Sequence, residues 1–162
     1  MAQGEFALVR EILIKAIQRP SVIVSDHDVY AVLVDAAVQQ RDTDGLREYA
    51  PALEEAITNM EHNLYLATAH RAWGVLHRLE GQYDQAKARL LKAVALFEGL
   101  DTHWQLGRTH FELGELAADR EQPAEAKQHY ARALTLFEEM GAMPDAKRAR
   151  DALSSYPAEE VP

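Results

Sequence analysis

The chain contains no cysteine in its 162 residues. That excludes a disulfide framework, a thiolate nucleophile and any zinc or iron–sulfur site with Cys ligands. Basic side chains are few: 17 Lys and Arg stand against 26 Asp and Glu, a formal charge of −9. Such a balance works against phosphate backbones and acidic membrane surfaces, which recruit excess Lys and Arg. No apolar run approaches the ~18 residues of a membrane span. The start, MAQGEFALVREILIKAIQRP, sets Glu5 and Glu11 among its apolar residues and lacks the positive start, unbroken apolar stretch and small-residue cleavage site of a secretory signal. A cytoplasmic protein with no nucleic-acid or membrane partner is expected. Also missing are a phosphate-cradling glycine loop and the GxSxG and HExxH motifs. Paired carboxylates such as Glu54-Glu55 and Glu138-Glu139 fall on solvent-side helix faces, without the burial that raises a catalytic pKa. Neither an enzyme nor a cofactor is expected.

What is present is a repeat. A shift of 40 residues lays HRAWGVLHRLEGQYDQAKARLLKAVALFEGL (70–100) on HFELGELAADREQPAEAKQHYARALTLFEEM (110–140). His70 meets His110, Gly74 meets Gly114, Ala86-Lys87 meets Ala126-Lys127, and Leu96-Phe97-Glu98 meets Leu136-Phe137-Glu138. A further step reaches a weaker copy at 30–60. An internal period of this size is the mark of stacked supersecondary units.

Each unit reads as two antiparallel helices, and no segment reads as a strand. Leu64, Ala67, Trp73, Leu76 and Leu79 keep helical spacing, Gly81 interrupts, and Tyr83, Ala86, Leu90, Ala93 and Phe97 resume it. Thr102, Pro123 and Gly141 suit helix starts and ends. Gly74 and Gly114, in mid-helix, imply that two helix backbones approach closely there, since such glycines otherwise cost ~1 kcal/mol. Pro51 predicts a kink or split near Tyr49–Pro51. The expected layout is one domain over 1–156: an N-terminal helix at 4–18, repeats at about 23–60, 61–100 and 101–140, a capping helix at 143–156, and a flexible tail at 157–162.

These residues resemble a tetratricopeptide repeat. LGELAADREQPAEAKQHYARALTLFEEM has a small residue in mid first helix, a turn, then Ala–Tyr–Ala at helical spacing. WGVLHRLEGQYDQAKARLLKAVALF carries Gly81 and Tyr83 where the pattern wants Gly and an aromatic. The period of 40 rather than the usual 34 is similar to the longer-helix variety found in regulatory regions of bacterial signalling proteins. The resemblance implies a right-handed superhelical solenoid of three hairpins with capping helices, and a concave face that binds protein or peptide without catalysis. It also implies that first helices line that face: Asp28, Ala31, Asp35, Val38 and Gln39 from the first unit; Thr68, Arg71, Val75, Arg78 and Leu79 from the middle; Arg108, Phe111, Glu115, Ala118 and Asp119 from the last.

Charge is uneven along the repeats. Residues 61–100 hold five basic and four acidic side chains, whereas 21–60 hold two and eight and 101–140 hold four and eight. Arginine grips carboxylates bidentately. The sequence therefore suggests an acidic segment or chain terminus on Arg71, Arg78 and Arg108, with Phe111 as apolar anchor. Favoured over that is the plainer reading that these arginines pair with Glu112, Glu115 or Asp119. A self-association module using Phe6, Val9, Ile12, Leu13 and Ile17, a secretion-type chaperone and a fragment of a larger signalling protein are the other readings. Seven histidines raise a metal question, but His70/His77 and His103/His110 are seven apart, about 10.5 Å of helix rise, too far for one ion. A His70–His110 pair across helices remains conceivable, with packing favoured. Asp42-Thr43-Asp44-Gly45 lacks the full ligand set of a calcium loop and reads as an inter-helix turn.

Overall fold

The structure, a computed structural model, describes residues 8, 10–15, 25–58 and 62–156. The ends of the expected N-terminal helix and the tail at 157–162 lie outside the described residues. All regular structure among the described residues is helical: α1, described at 8 and 10–15, then α2 (Asp26–Gln40), α3 (Thr43–Ile57), α4 (Asn63–Leu79), α5 (Tyr83–Gly99), α6 (His103–Asp119), α7 (Pro123–Glu139) and α8 (Met143–Ser154). The arrangement is a helical solenoid. Each helix packs on the next in the chain, from α2 on α3 to α7 on α8.

The 40-residue register holds to the residue. Helices α4 and α6 begin at 63 and 103, α5 and α7 at 83 and 123, and α8 opens at 143 as a further first helix. Local chemistry sets these limits. Asp42 caps α3, its side chain accepting from the Gly45 amide at 3.0 Å, so the Asp-Thr-Asp-Gly stretch is a helix start. Pro123 opens α7, where its missing N–H costs nothing. Gly81 (φ 75°) and Gly141 (φ 68°) follow helix ends in the left-handed conformation that glycine adopts freely, and Arg41, Asp101 and Glu121 take it at φ 54–56°.

Helix α3 runs unbroken through Pro51, so the expected split is absent. The proline ring is on the exposed side, while Tyr49, Ala50 and Leu53 on the opposite side are fully packed. Burial of that face outweighs the lost hydrogen bond.

The glycine spine is as tight as the repeat implies. A Cβ on Gly74 would stand 2.6 Å from Leu90 Cγ, and one on Gly114 would stand 2.6 Å from the Tyr130 ring. Leu90 and Tyr130 are themselves 40 apart, so the two glycines have equivalent surroundings. Around this spine the buried apolar residues gather in successive clusters: Leu33, Val34, Leu46 and Leu53 in the first hairpin, Leu90, Leu113 and Leu116 between the middle and last, and Tyr130, Ala133 and Phe137 against Ala146 and Ala149 of α8. The far side of α8 is polar, with Lys147 paired to Asp151 and Arg150 to Glu138.

Candidate functional site

First helices of neighbouring hairpins touch, α2 on α4 and α4 on α6, whereas α3, α5 and α7 make no comparable approach to one another. The array therefore curves toward its first helices, and their shared face is the inner one. All the sequence-derived groove residues lie on these helices.

The inner face is crossed by ion pairs. Arg71, with no exposed surface, donates from Nη2 to Asp35 Oδ1 at 2.6 Å and from Nη1 to the Gln105 side chain at 2.6 Å. Arg108 donates to the other oxygen of Asp35 at 2.9 Å. One carboxylate on α2 thus serves guanidiniums on α4 and α6. A second cluster lies further along. Arg41, just past α2, pairs with Glu112 at 2.6 Å and Glu115 at 3.6 Å. Arg78 pairs with Asp119 at 2.9 Å, Glu115 at 3.6 Å and Glu112 at 3.9 Å. Aromatic faces complete the lining, with Phe97 under Arg71 and Trp104 under Arg108.

Electrostatics follow from this packing. Burial would raise the Asp35 carboxyl, but Arg71 and then Arg108 outweigh it and hold the group below its ordinary value. Burial lowers Arg71 to about 10, with Asp35 opposing the shift. The Tyr130 hydroxyl, buried and donating to Glu115 at 2.9 Å, is pushed up.

The sequence-derived groove residues separate into two groups. Thr68, Arg71, Val75, Arg78, Arg108 and Phe111 are buried; Thr68 donates to the Leu64 carbonyl at 2.9 Å, and Phe111 packs on Tyr130. Leu79, Glu115 and Asp119 keep exposed surface. In the first unit Asp28 accepts from the Tyr65 hydroxyl, Val38 is buried and Gln39 is exposed. Arg78 is thus paired internally with Glu112, Glu115 and Asp119, as the plainer reading has it, whereas Arg71 and Arg108 are met by Asp35, which that reading did not include. Desolvating an arginine without a counter-charge is costly, so the chain supplies partners from within.

Two hollows open on this face. One, of about 240 Å³, lies between α2 and α4, reaches α6, and is lined by Asp28, Val32, Asp35, Leu64, Tyr65 and Gln105 among others. The other is a shallow recess of about 10 Å³ between α2, α6, α7 and α8, around Val38, Arg108, Phe111, Glu112, Asp145 and Arg148. Arg148 was absent from the sequence-derived set. Its guanidinium sits over the Phe111 ring, 4.7 Å from the centroid, on an exposed residue. Among the described residues it makes no ion pair with a carboxylate. The signal for it was available, since Arg108 and Arg148 are one period apart. Among the described residues no three His, Asp or Glu side chains are placed to hold a metal ion, and no helix is long and apolar enough to cross a membrane.

Residues 64–139 match the family model described as tetratricopeptide repeat. No curated protein matches the chain. Among solved structures, the crystal structure of BtubC (BKLC) from P. vanneervenii is similar over 99% of this chain and 79% of that one, with a TM-score of 0.59 and 16% identity. At that identity the likeness speaks for the fold alone.

Proposed function

Because residues 64–139 belong to the tetratricopeptide repeat family, whose repeats generally mediate protein–protein interaction, we propose that this chain is a non-catalytic adaptor that holds a protein or peptide segment on its inner face. The segment is acidic, and its carboxylate meets the Arg148 guanidinium that lies on Phe111. One observation carries this reading: Arg148 is an exposed guanidinium, stacked on the Phe111 ring and, among the described residues, without an acidic partner, at the edge of a shallow recess shared with Arg108. A ring-backed guanidinium is oriented before any ligand arrives, so less freedom is lost on binding. Arg71 and Arg78 then act as supports rather than contacts.

Peptides selected on the wild-type chain from a random displayed library test it. Asp- and Glu-rich sequences are expected, and Arg148→Glu should weaken them by about tenfold or more, the scale of one charge-assisted contact. Selected peptides with no acidic bias, or undiminished binding by the variant, would sink the reading. Self-association has its own observation in its favour: Leu8 and Ile12 are 59% and 57% exposed, one turn apart on α1. Light scattering of wild type and Ile12→Glu separates a second copy from a peptide as the occupant.

A further inference from the structure

In the last hairpin, His110 of α6 and His129 of α7 bring their Nδ1 atoms to 3.1 Å, both side chains partly buried. The ring centroids are 5.3 Å apart with planes inclined by 28°. A centroid lies about 1.15 Å from each ring nitrogen, by ordinary covalent dimensions, so the two rings point nearly end to end. That is the geometry of an N–H···N hydrogen bond. It requires one Nδ1 to carry a proton and the other to offer its lone pair.

The middle hairpin shows which is which. One period earlier, His70 stands for His110 and Arg89 for His129, and Arg89 Nη1 lies 3.0 Å from His70 Nδ1. Arginine has no lone pair to offer, so His70 accepts. The same polarity in the last hairpin makes His110 the acceptor and His129 the donor. The far nitrogen of His129, Nε2, faces Glu125 Oε1 at 3.8 Å, and Glu125 holds Lys87 of α5 at 2.6 Å.

We propose that His110 and His129 form a site for a single proton: the proton binds at His129 Nε2 and turns that residue into a titratable counterpart of Arg89. In the charged form His129 donates from Nδ1 to His110 and from Nε2 toward Glu125. A second proton would set two Nδ1–H groups against each other at 3.1 Å, so it binds only at lower pH and breaks the bond between the rings. The charged groups facing the pair are Lys87 from α5 and Glu125 and Arg132 from α7. Burial lowers both histidines; Glu125 pulls His129 back up, while His129 and Arg132 push His110 further, to about 4. Because Glu125 also holds Lys87, a proton on His129 competes with the lysine that ties α5 to α7. Proton uptake is therefore linked to the joint between the middle and last hairpins.

Tautomer-resolved nitrogen spectra of the histidine rings, taken from about pH 7.5 to about 4, test the proposal. Two steps more than about one pH unit apart are expected. In the first, both nitrogens of His129 become protonated while His110 remains neutral with its proton on Nε2. His129→Arg should reproduce the Arg89 arrangement, abolish the first step and leave His110 neutral over the same range. Independent titration of the two rings at ordinary values, or His110 charging first, would overturn the proposal, and the wild-type spectra alone decide between these outcomes.

Discussion

Where the two helices of a hairpin cross, the middle hairpin lays Leu90 over Gly74 and the last lays Tyr130 over Gly114. The register is the same and the chemistry is not. Tyr130 brings a buried hydroxyl that needs an acceptor. Glu115 supplies it at 2.9 Å, at the position where the middle hairpin has the fully buried Val75. Glu115 in turn faces Arg41 and Arg78. One change of packing residue thus carries charge onto the inner face, and the helices need not move. Repeat geometry is set by the glycine gap, while each hairpin's polarity is set by what fills it.

The difference is broken most severely where both hairpins depend on one partner. Asp35→Ala should cost about 3–5 kcal/mol in urea unfolding, because Arg71 and Arg108 both lose their counter-charge in a buried setting. Arg71→Met should cost clearly less, since Asp35 keeps Arg108. Equal losses would mean that the shared carboxylate is not the keystone.

Next in size are the glycines. Gly114→Ala should destabilise by about 2 kcal/mol, the overpacking range, because a buried ring tied to Glu115 has nowhere to retreat. Gly74→Ala should cost about half as much, since Leu90 can change rotamer. Thermal unfolding of the pair reads this directly, and the reverse order would contradict the packing described.

Smaller still is the turn between helices, where Gly81 of the middle hairpin is matched by Glu121 of the last, at φ 75° and 56°. Glu121→Gly should stabilise by roughly 0.5–1 kcal/mol by removing a Cβ from the left-handed region, provided that the extra freedom of the unfolded chain does not cancel it. A drop in the unfolding midpoint would refute this.

The most gradual effect is acid. His70, His110 and His129 are all lowered, by burial first, so the folded chain prefers them neutral. Their contribution is complete above the ordinary value of about 6.5 and drains as pH falls toward about 4. The urea midpoint should decline gradually over that interval, and a flat profile would show that the rings are freely solvated.

Much of this architecture was legible in the residues. The coincidence of His70 with His110 and of Gly74 with Gly114 fixed both period and close approach, because only a backbone crossing rewards glycine in mid-helix. Pro123 and Gly141 marked helix limits for equally local reasons. Arg71 was harder to read. Counting charges by block treats every side chain as solvated, and nothing local reveals that Asp35, two helices earlier in the chain, reaches across to neutralise it. Pro51 misled for a related reason: its local penalty was visible, but the burial of Tyr49 and Leu53 that overrides it belongs to the assembled hairpin. Arg148 could have been found by stepping Arg108 forward one period, had α8 been read as a further first helix rather than only as a cap.

In an array whose units meet only their immediate neighbours, stability is a sum of local terms and the ends fray first. Asp35 and Arg41 add a bond of longer range, since they fasten the first hairpin directly to α6 by way of Arg108 and Glu112. A break in the first hairpin is therefore felt beyond the adjoining unit, and the three hairpins are expected to melt together as a single cooperative body.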